Sequence, residues 1–300
     1  MKTVCVLLSV FNGEKYLREQ IESILNQKEV YVILLARDDG STDSSINILD
    51  EYKDRIHILK GKNVGIIKSF SLLVEEGLNI ECDYYAFSDQ DDVWKRSKLI
   101  NAVQRLEQFK EDLPSLYFSN LEYTDENLKS MGYVYNSKPD ITMSSSLVWN
   151  YAYGCTEVFN RKAAELFCKG LGKRMWMHDY WLYLIGIHIG NYYYDEVPHI
   201  LYRQHGSNSV GFRLPLTKRI KNKINSLRNL KETPRIDMAE DFFSTYAGLL
   251  DEQNKKVIRG FIQSKYCIRM RLRALFSKDY YIFNVVGNII LRIRFLIGAV

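Results

Sequence analysis

The chain has 300 residues, 46% hydrophobic and 26% charged, the make-up of an ordinary folded protein with enough apolar side chains for one large core or two smaller ones. Five widely spaced cysteines (Cys5, Cys82, Cys155, Cys168, Cys267) with no CxxC pair argue against a disulfide framework or a zinc site, and favour a reducing compartment. The formal charge is +5, yet residues 1–210 carry 23 basic and 29 acidic side chains while residues 211–300 carry 18 and 7, so the tail suits an anionic partner.

Residues 4–10 are a continuous apolar run rich in β-branched side chains, which reads as a strand buried on both faces. Phe11-Asn12-Gly13 breaks it, and Leu17, Ile21, Ile24 and Leu25 give helical spacing across residues 14–27. A second buried strand, residues 30–36, runs into Arg37-Asp38-Asp39-Gly40-Ser41-Thr42-Asp43. Residues 44–52 are helical, 56–59 a third strand, Asn63-Val64-Gly65 a turn, 66–77 a helix and 84–87 a fourth strand. This alternation predicts an α/β protein with a doubly wound sheet flanked by helices.

Three carboxylates, Asp89, Asp91 and Asp92, follow the fourth strand directly, where open α/β sheets place their ligand crevice. Asp89 and Asp91 are two apart, so an extended segment points them the same way, able to share a hard cation with water and phosphate oxygens. The plainer alternative is an acidic loop with Asp92 capping the next helix. Asp39 ends the second strand, where a carboxylate can accept from a ribose hydroxyl or a base edge, although Asp-Gly-Ser is also ordinary turn chemistry. No GxGxxG or Walker A sequence follows the first strand, which argues against a dehydrogenase, a P-loop NTPase and a nucleotidyltransferase with a basic, glycine-rich phosphate loop.

A helix continues through residues 103–109, a strand covers 115–119, and the polar, Ser/Tyr-rich residues 123–150 read as loops. Gly154 allows a close backbone approach, either to a ligand or in packing. Asp179 stands among Trp176, Tyr180 and Trp181 at a helix start, as a raised-pKa acid or as an N-cap. After a strand at 197–202, Arg203 and His205 enter a Gly/Ser-rich loop that suits contact with anionic oxygen or a metal, or simply solvent. His57, His188 and His199 read as structural or solvated. In the tail, residues 213–231 interleave Arg213, Lys218, Arg219, Lys221, Lys223 and Arg228 with Leu216, Ile220, Ile224 and Leu227, and residues 255–273 repeat the pattern. Residues 280–300 are more apolar, but Arg292 and Arg294 interrupt them, and a central arginine costs a membrane span roughly 2.5–3.5 kcal/mol. Basic amphipathic helices of this kind point to a membrane surface, with helix packing or oligomerisation as the alternative and no nucleic-acid module in view.

Taken together, Ser9 to Leu17, Ser23 to Gln27, Asp38 to Asp43, Asn63-Val64-Gly65 and Asp89-Gln90-Asp91-Asp92 resemble, in order and spacing, the family 2 glycosyltransferases with the GT-A fold. The ending Ser88 to Trp94 with Lys98-Leu99 is most similar to bacterial rhamnosyltransferase-type members. The resemblance implies a GT-A domain over residues 1–212, with about 1–110 for the nucleotide-sugar and about 111–212 for the acceptor, and a basic helical extension over 213–300. It implies that Ser9, Phe11, Asn12 and Asp39 face the nucleotide, Phe11 standing where a tyrosine is expected. It places Lys68 near the phosphates and Arg203 and His205 in a loop closing over the donor. Asp89 and Asp91, with His205, would hold a divalent metal, Mn²⁺ or Mg²⁺. Asp179 matches the acid of the family's ED-type motif, the general base, with His178 where that motif often has Glu. The implied reaction is inverting transfer from a dTDP- or UDP-linked sugar, rhamnose by subgroup, to a hydroxyl of a growing cell-surface polysaccharide or lipid-linked glycan. UDP-glucose/galactose-type transfer and a non-catalytic nucleotide-binding membrane scaffold are the alternatives. With no leader segment read ahead of the first strand, the expected location is cytoplasmic, on the inner face of the plasma membrane.

Overall fold

The computed structural model describes residues 1–205, 233–283 and 285–300. Strand β1 (Thr3–Val10) is buried along nearly its whole length, as its apolar run requires. It pairs in parallel with β2 (Tyr31–Asp38) on one side and β4 (Tyr84–Ser88) on the other, and β3 (His57–Lys60) extends the edge beyond β2. Helices α1 (Leu17–Leu25), α2 (Ser45–Glu51) and α3 (Ile66–Gly77) connect these strands. The helix predicted from Glu14 starts three residues later, at Leu17, because the chain first turns through Gly13, whose carbonyl accepts from the backbone N–H of both Tyr16 and Leu17.

After β4 come the short β5 (Val93–Trp94), α4 (Lys98–Leu106), β6 (Ser115–Ser119), β7 (Glu122–Thr124), β8 (Ser130–Tyr133) and α5 (Met143–Ser146). Residues 123–150 are therefore more than loops: β7 and β8 pair antiparallel, and Thr142 and Ser145 form a reciprocal cap on α5. Asp92 does not cap a helix, since β5 intervenes and Ser97 holds the N-cap position of α4. A 3₁₀ turn at Gly154–Thr156 leads into β9 (Val158–Asn160), then α6 (Arg161–Lys169), α7 (His178–His188), β10 (Asn191–Asp195) and β11 (Ile200–Arg203).

Two sheets result among the described residues. The seven-stranded sheet runs β10-β6-β9-β4-β1-β2-β3, parallel except for β9, which lies antiparallel between β4 and β6. The smaller sheet runs β5-β11-β7-β8. Because β4 is central, its carboxyl end opens beside those of β1 and β2, and the Asp89 to Asp92 loop emerges there.

Helix α7 is buried on ten of its eleven residues, which is the condition of a helix that is apolar all round. The tail helices hold it. These are α8 (Pro234–Tyr246), begun by Pro234 in its first turn, α9 (Glu252–Tyr266), α10 (Ile268–Phe276) and α11 (Val285–Ile297). Trp181 Nε1 donates to Tyr246 Oη at 3.0 Å, and His188 sits between Ser146 Oγ (2.9 Å) and Asn254 Oδ1 (2.6 Å). Side chains from Ile236 to Val300 enter the same core cluster as Leu7, Phe87 and Trp181. The basic stretch at 255–273 divides into α9 and α10 at Cys267, whose backbone is extended. The helix expected over residues 213–231 lies outside the described residues. None of the described helices is long and apolar enough to cross a membrane.

Candidate active site

The carboxyl ends of β1, β2 and β4 and the amino end of α7 surround a cleft of about 490 Å³. Its rim is made by stitching the first loop to the second. Asn12, in the left-handed region at φ 51°, accepts from Thr42 N–H at 2.8 Å through Oδ1, and its own N–H donates to Ser41 Oγ at 3.0 Å. Asn12 thus braces the loop that carries Phe11 and is itself outside the residues that line the cleft. Phe11 does line it, 44% exposed, and its backbone is clamped at both ends by Gln90, which accepts from Phe11 N–H (2.8 Å) and donates to Phe11 C=O (3.0 Å). The clamp needs Gly13, because a Cβ there would stand 2.4 Å from Gln90 Oε1. Sequence reasoning passed over Gln90 as the spacer of the Asp89–Asp91 pair.

Asp39 is buried in the cleft wall. Its Oδ1 accepts from Arg37 Nη1 and from Val64 N–H (2.9 Å), and Oδ2 accepts from Gly65 N–H (2.9 Å). Gly65 (φ +82°) makes that turn possible ahead of α3. A carboxylate oxygen accepts about two hydrogen bonds. Oδ2 therefore keeps one position for a donor on a ligand. Ser9 Oγ is paired with Ser69 Oγ at 2.7 Å beside it. Lys68 is exposed on α3 next to the buried Ser69 and Phe70, outside the residues that line the cleft.

At the centre, Asp89 and Asp91 face the cleft, and His205 Nε2 lies 2.7 Å from Asp91 Oδ2. Burial, with the charges of Asp91 and Asp179, pushes Asp89 up to about 7. Such mutual repulsion is what a bound cation relieves, and two carboxylates with an imidazole suit a hard or borderline divalent ion. Asp89 also comes within 4.8 Å of Asp92 and Cys155. That second set fits a divalent metal poorly. Asp92 is fully buried and Cys155, though it touches the cleft wall, nearly so; burial holds the Cys155 thiol well above its usual range, and the buried Lys98 amine, lowered by burial to about 7, lies over the Trp94 ring at 3.6 Å beside the same pair. Asp91 with His205, and Asp89 facing the same cleft, offer the donor types that the expected ion takes.

Arg203 is only 3% exposed and does not line the cleft. It donates to Asp91 C=O at 3.1 Å, to Glu126 C=O and to Glu19, and stacks on Tyr16. The expected donor contact is corrected accordingly: Arg203 supports the acidic loop from behind, because β11 brings it in under that loop.

Asp179 also lines the cleft, from the first turn of α7 rather than at its N-cap, which is Met177. Its Oδ1 accepts from Tyr180 N–H at 2.7 Å and its Oδ2 from Gly154 N–H at 3.3 Å. Burial outweighs those bonds and raises the carboxyl to about 6. Gly154 is a packing glycine: a Cβ would meet His178 Nε2 at 3.1 Å and Asp179 Cβ at 3.2 Å. His178 stacks on Phe70 with centroids 3.9 Å apart and is kept neutral, burial lowering it to about 3. Both its ring nitrogens lack a partner among the described residues, as do both oxygens of the buried Glu157, whose carboxyl burial and Asp179 raise well above the usual range. Phe70, Tyr153, Met177 and Tyr202 also line the cleft. No short motif carries these residues, since α3, the 3₁₀ turn, α7 and β11 each supply one or two.

Residues 5–167 match the family model described as glycosyl transferase family 2. The chain is 29% identical over 262 residues to the dTDP-rhamnosyl transferase RfbG of Shigella flexneri, covering 79% of this chain and 86% of that protein. Its fold is similar to that of S. aureus TarS 1-349 in complex with UDP-GlcNAc, with a TM-score of 0.54, 14% identity, and 98% and 90% of the two chains covered. It is also similar to the mannosyltransferase PcManGT from Pyrobaculum calidifontis in complex with GDP-Man and Mn²⁺, with a TM-score of 0.51, 12% identity, and 99% and 86% covered.

Proposed function

The chain belongs to glycosyl transferase family 2, with a GT-A fold, and from that premise we propose that it transfers rhamnose, with inversion, from a dTDP- or UDP-linked donor to a hydroxyl of a growing surface glycan on a lipid carrier. The observation that carries the reading is the presence of Asp89, Asp91 and Asp179 in one cleft, with Asp179 near enough to Asp89 for its charge to be felt there. The nucleotide lies along Ser9, Phe11 and Asp39, with Phe11 offering a ring face for the base and Asp39 Oδ2 one acceptor. Asp89, Asp91 and His205 would hold a divalent ion, which when bound would supply a Lewis acid for the departing diphosphate. Asp179 takes the proton from the acceptor hydroxyl while that oxygen attacks the anomeric carbon opposite the leaving group. The single displacement inverts the anomeric centre.

The rhamnose reading is supported by the similarity to the Shigella flexneri protein. A lipid-linked acceptor places the reaction at the inner membrane surface. The test is release of nucleoside diphosphate from a panel of dTDP- and UDP-sugars, with acceptor lipid extract, in Mn²⁺, Mg²⁺ or EDTA. Turnover of dTDP-rhamnose that needs metal and acceptor is the expected result. Turnover of UDP-glucose or UDP-galactose alone overturns the sugar, and nucleotide binding without turnover of any donor favours the scaffold.

A further inference from the structure

The tail ends in a hairpin with an exposed face of unusual composition. In α11 every exposed residue is apolar: Val285, Val286, Ile289, Ile293, Leu296 and Ile297. Their spacing puts them on one helix face. In α10, Ile268, Leu272 and Phe276 recur every four residues and form a second apolar row, with the exposed Arg269 and Arg273 one position on from the first two. Exposure is high for a folded chain, 79% at Phe276, 77% at Val285 and 63% at Ile268. A continuous apolar surface of this kind marks an interaction site.

The two arginines that interrupt the last segment do not reach this face. Arg292 turns back onto α10, donating from Nη1 to the carbonyls of Ala274 (2.9 Å) and Leu275 (2.8 Å) and from Nη2 to Tyr280 C=O (3.1 Å). It thereby satisfies last-turn carbonyls of α10 that have no partner within the helix. Arg294 is buried and donates to Ala299 C=O at 2.8 Å. The sequence therefore understates the apolarity of this helix, because its charged members serve inward as ties between α10 and α11.

From these observations we infer that the α10–α11 hairpin is a membrane-docking surface that lies in the interface of an anionic bilayer, with Phe276, Ile289 and their neighbours inserted and Arg269, Arg273 and Lys278 at the phosphates. This deepens the membrane-surface part of the proposed function and does not depend on which sugar is transferred. Charge selects the bilayer over a second copy of the chain. The exposed charged side chains of residues 266–300 are Arg269, Arg273 and Lys278 against Asp279 alone, a net positive surface that a second copy would have to meet with its own positive surface. A bilayer supplies both an apolar layer and fixed negative charge. Spanning is excluded for α11 by length: its 13 residues rise about 20 Å against a hydrocarbon core of about 30 Å.

The experiment is flotation of the full chain with phosphatidylcholine vesicles and with vesicles containing phosphatidylglycerol, alongside the double variants Phe276→Glu/Ile289→Glu and Arg269→Gln/Arg273→Gln. Sedimentation velocity without lipid and donor hydrolysis in solution are measured on each. Wild type floats with the anionic vesicles. The glutamate pair lowers binding by about tenfold or more, and the glutamine pair removes the preference for anionic lipid. Donor hydrolysis stays at the wild-type level in both, because neither pair lies near the cleft, so loss of docking and loss of transferase activity are read separately. Three outcomes overturn the inference: no flotation of wild type, flotation unchanged by the glutamate pair, or a wild-type dimer that the glutamate pair converts to monomer. The last assigns the face to a second copy.

Discussion

Asp179→Asn tests the proposed base by two independent readouts. The substitution keeps the volume and one acceptor oxygen, so the 2.7 Å bond from Tyr180 N–H survives and the weak 3.3 Å bond from Gly154 N–H is lost. A well-placed base contributes about 10²–10⁴-fold to rate, and the variant should lose that much in kcat/KM. Stability should move the other way. The folded carboxyl is raised to about 6 from an ordinary value near 4, so between those values the folded chain binds more protons than the unfolded one. Folding is then progressively less favourable as pH rises through that window, and the full penalty is present above it. About two pKa units correspond to an upper limit of about 3 kcal/mol, and the carboxylate's partial opening to the cleft reduces this to about 1–2 kcal/mol. Asparagine carries no such penalty. Thermal unfolding of both proteins from pH 4 to pH 8 should show the variant gaining on wild type as pH rises, with most of the change between about 4 and 6. In wild type, kcat/KM should climb with pH through about 6 and level off. Near-wild-type turnover by a folded variant, or a melting difference that does not vary with pH, would refute the assignment.

Asp89→Asn and Asp91→Asn should each abolish the metal-dependent part of the thermal shift produced by nucleotide-sugar, since binding to the native state alone is what raises the melting temperature; EDTA should do the same to wild type. Gly13→Ala should push Gln90 off the Phe11 backbone, costing about 1–3 kcal/mol in denaturant unfolding and raising the Kd for nucleotide measured by calorimetry. Arg203→Lys retains charge but lacks the planar fork that reaches Asp91, Glu126 and Glu19 together, so it should lower stability by about 1–3 kcal/mol and weaken the response to Mn²⁺ without changing which nucleotide binds.

Much of this protein could be read from local pattern. The apolar runs that became β1, β2 and β4 must be buried on both faces wherever the chain puts them, and the helical spacing of Leu17, Ile21 and Ile24 admits one inward face. Asp89 and Asp91 follow a strand end and therefore face the crevice. Those are short-range facts, dictated by side-chain period and strand direction. Burial and partnering are long-range facts, and there the sequence was silent or misleading. Arg203 and His205, two residues apart, have separate fates: β11 carries Arg203 beneath the acidic loop while His205 reaches Asp91. Asn12 and Lys68 have the chemistry of ligand contacts, but Asn12 Oδ1 is engaged by Thr42, and Lys68 is exposed on α3 beside the buried Ser69 and Phe70. Asp39 carries its acceptors already mostly filled by Arg37 and the 64–65 turn. The pocket for Asp179, and the neutral state of His178 and Glu157 beside it, exist only because α3, α7 and the 3₁₀ turn converge and exclude water. In the tail, spacing alone marked an amphipathic helix, but only the packed hairpin turned Arg292 and Arg294 inward and left the apolar face uncovered, because a charged side chain goes where unpaired carbonyls await it.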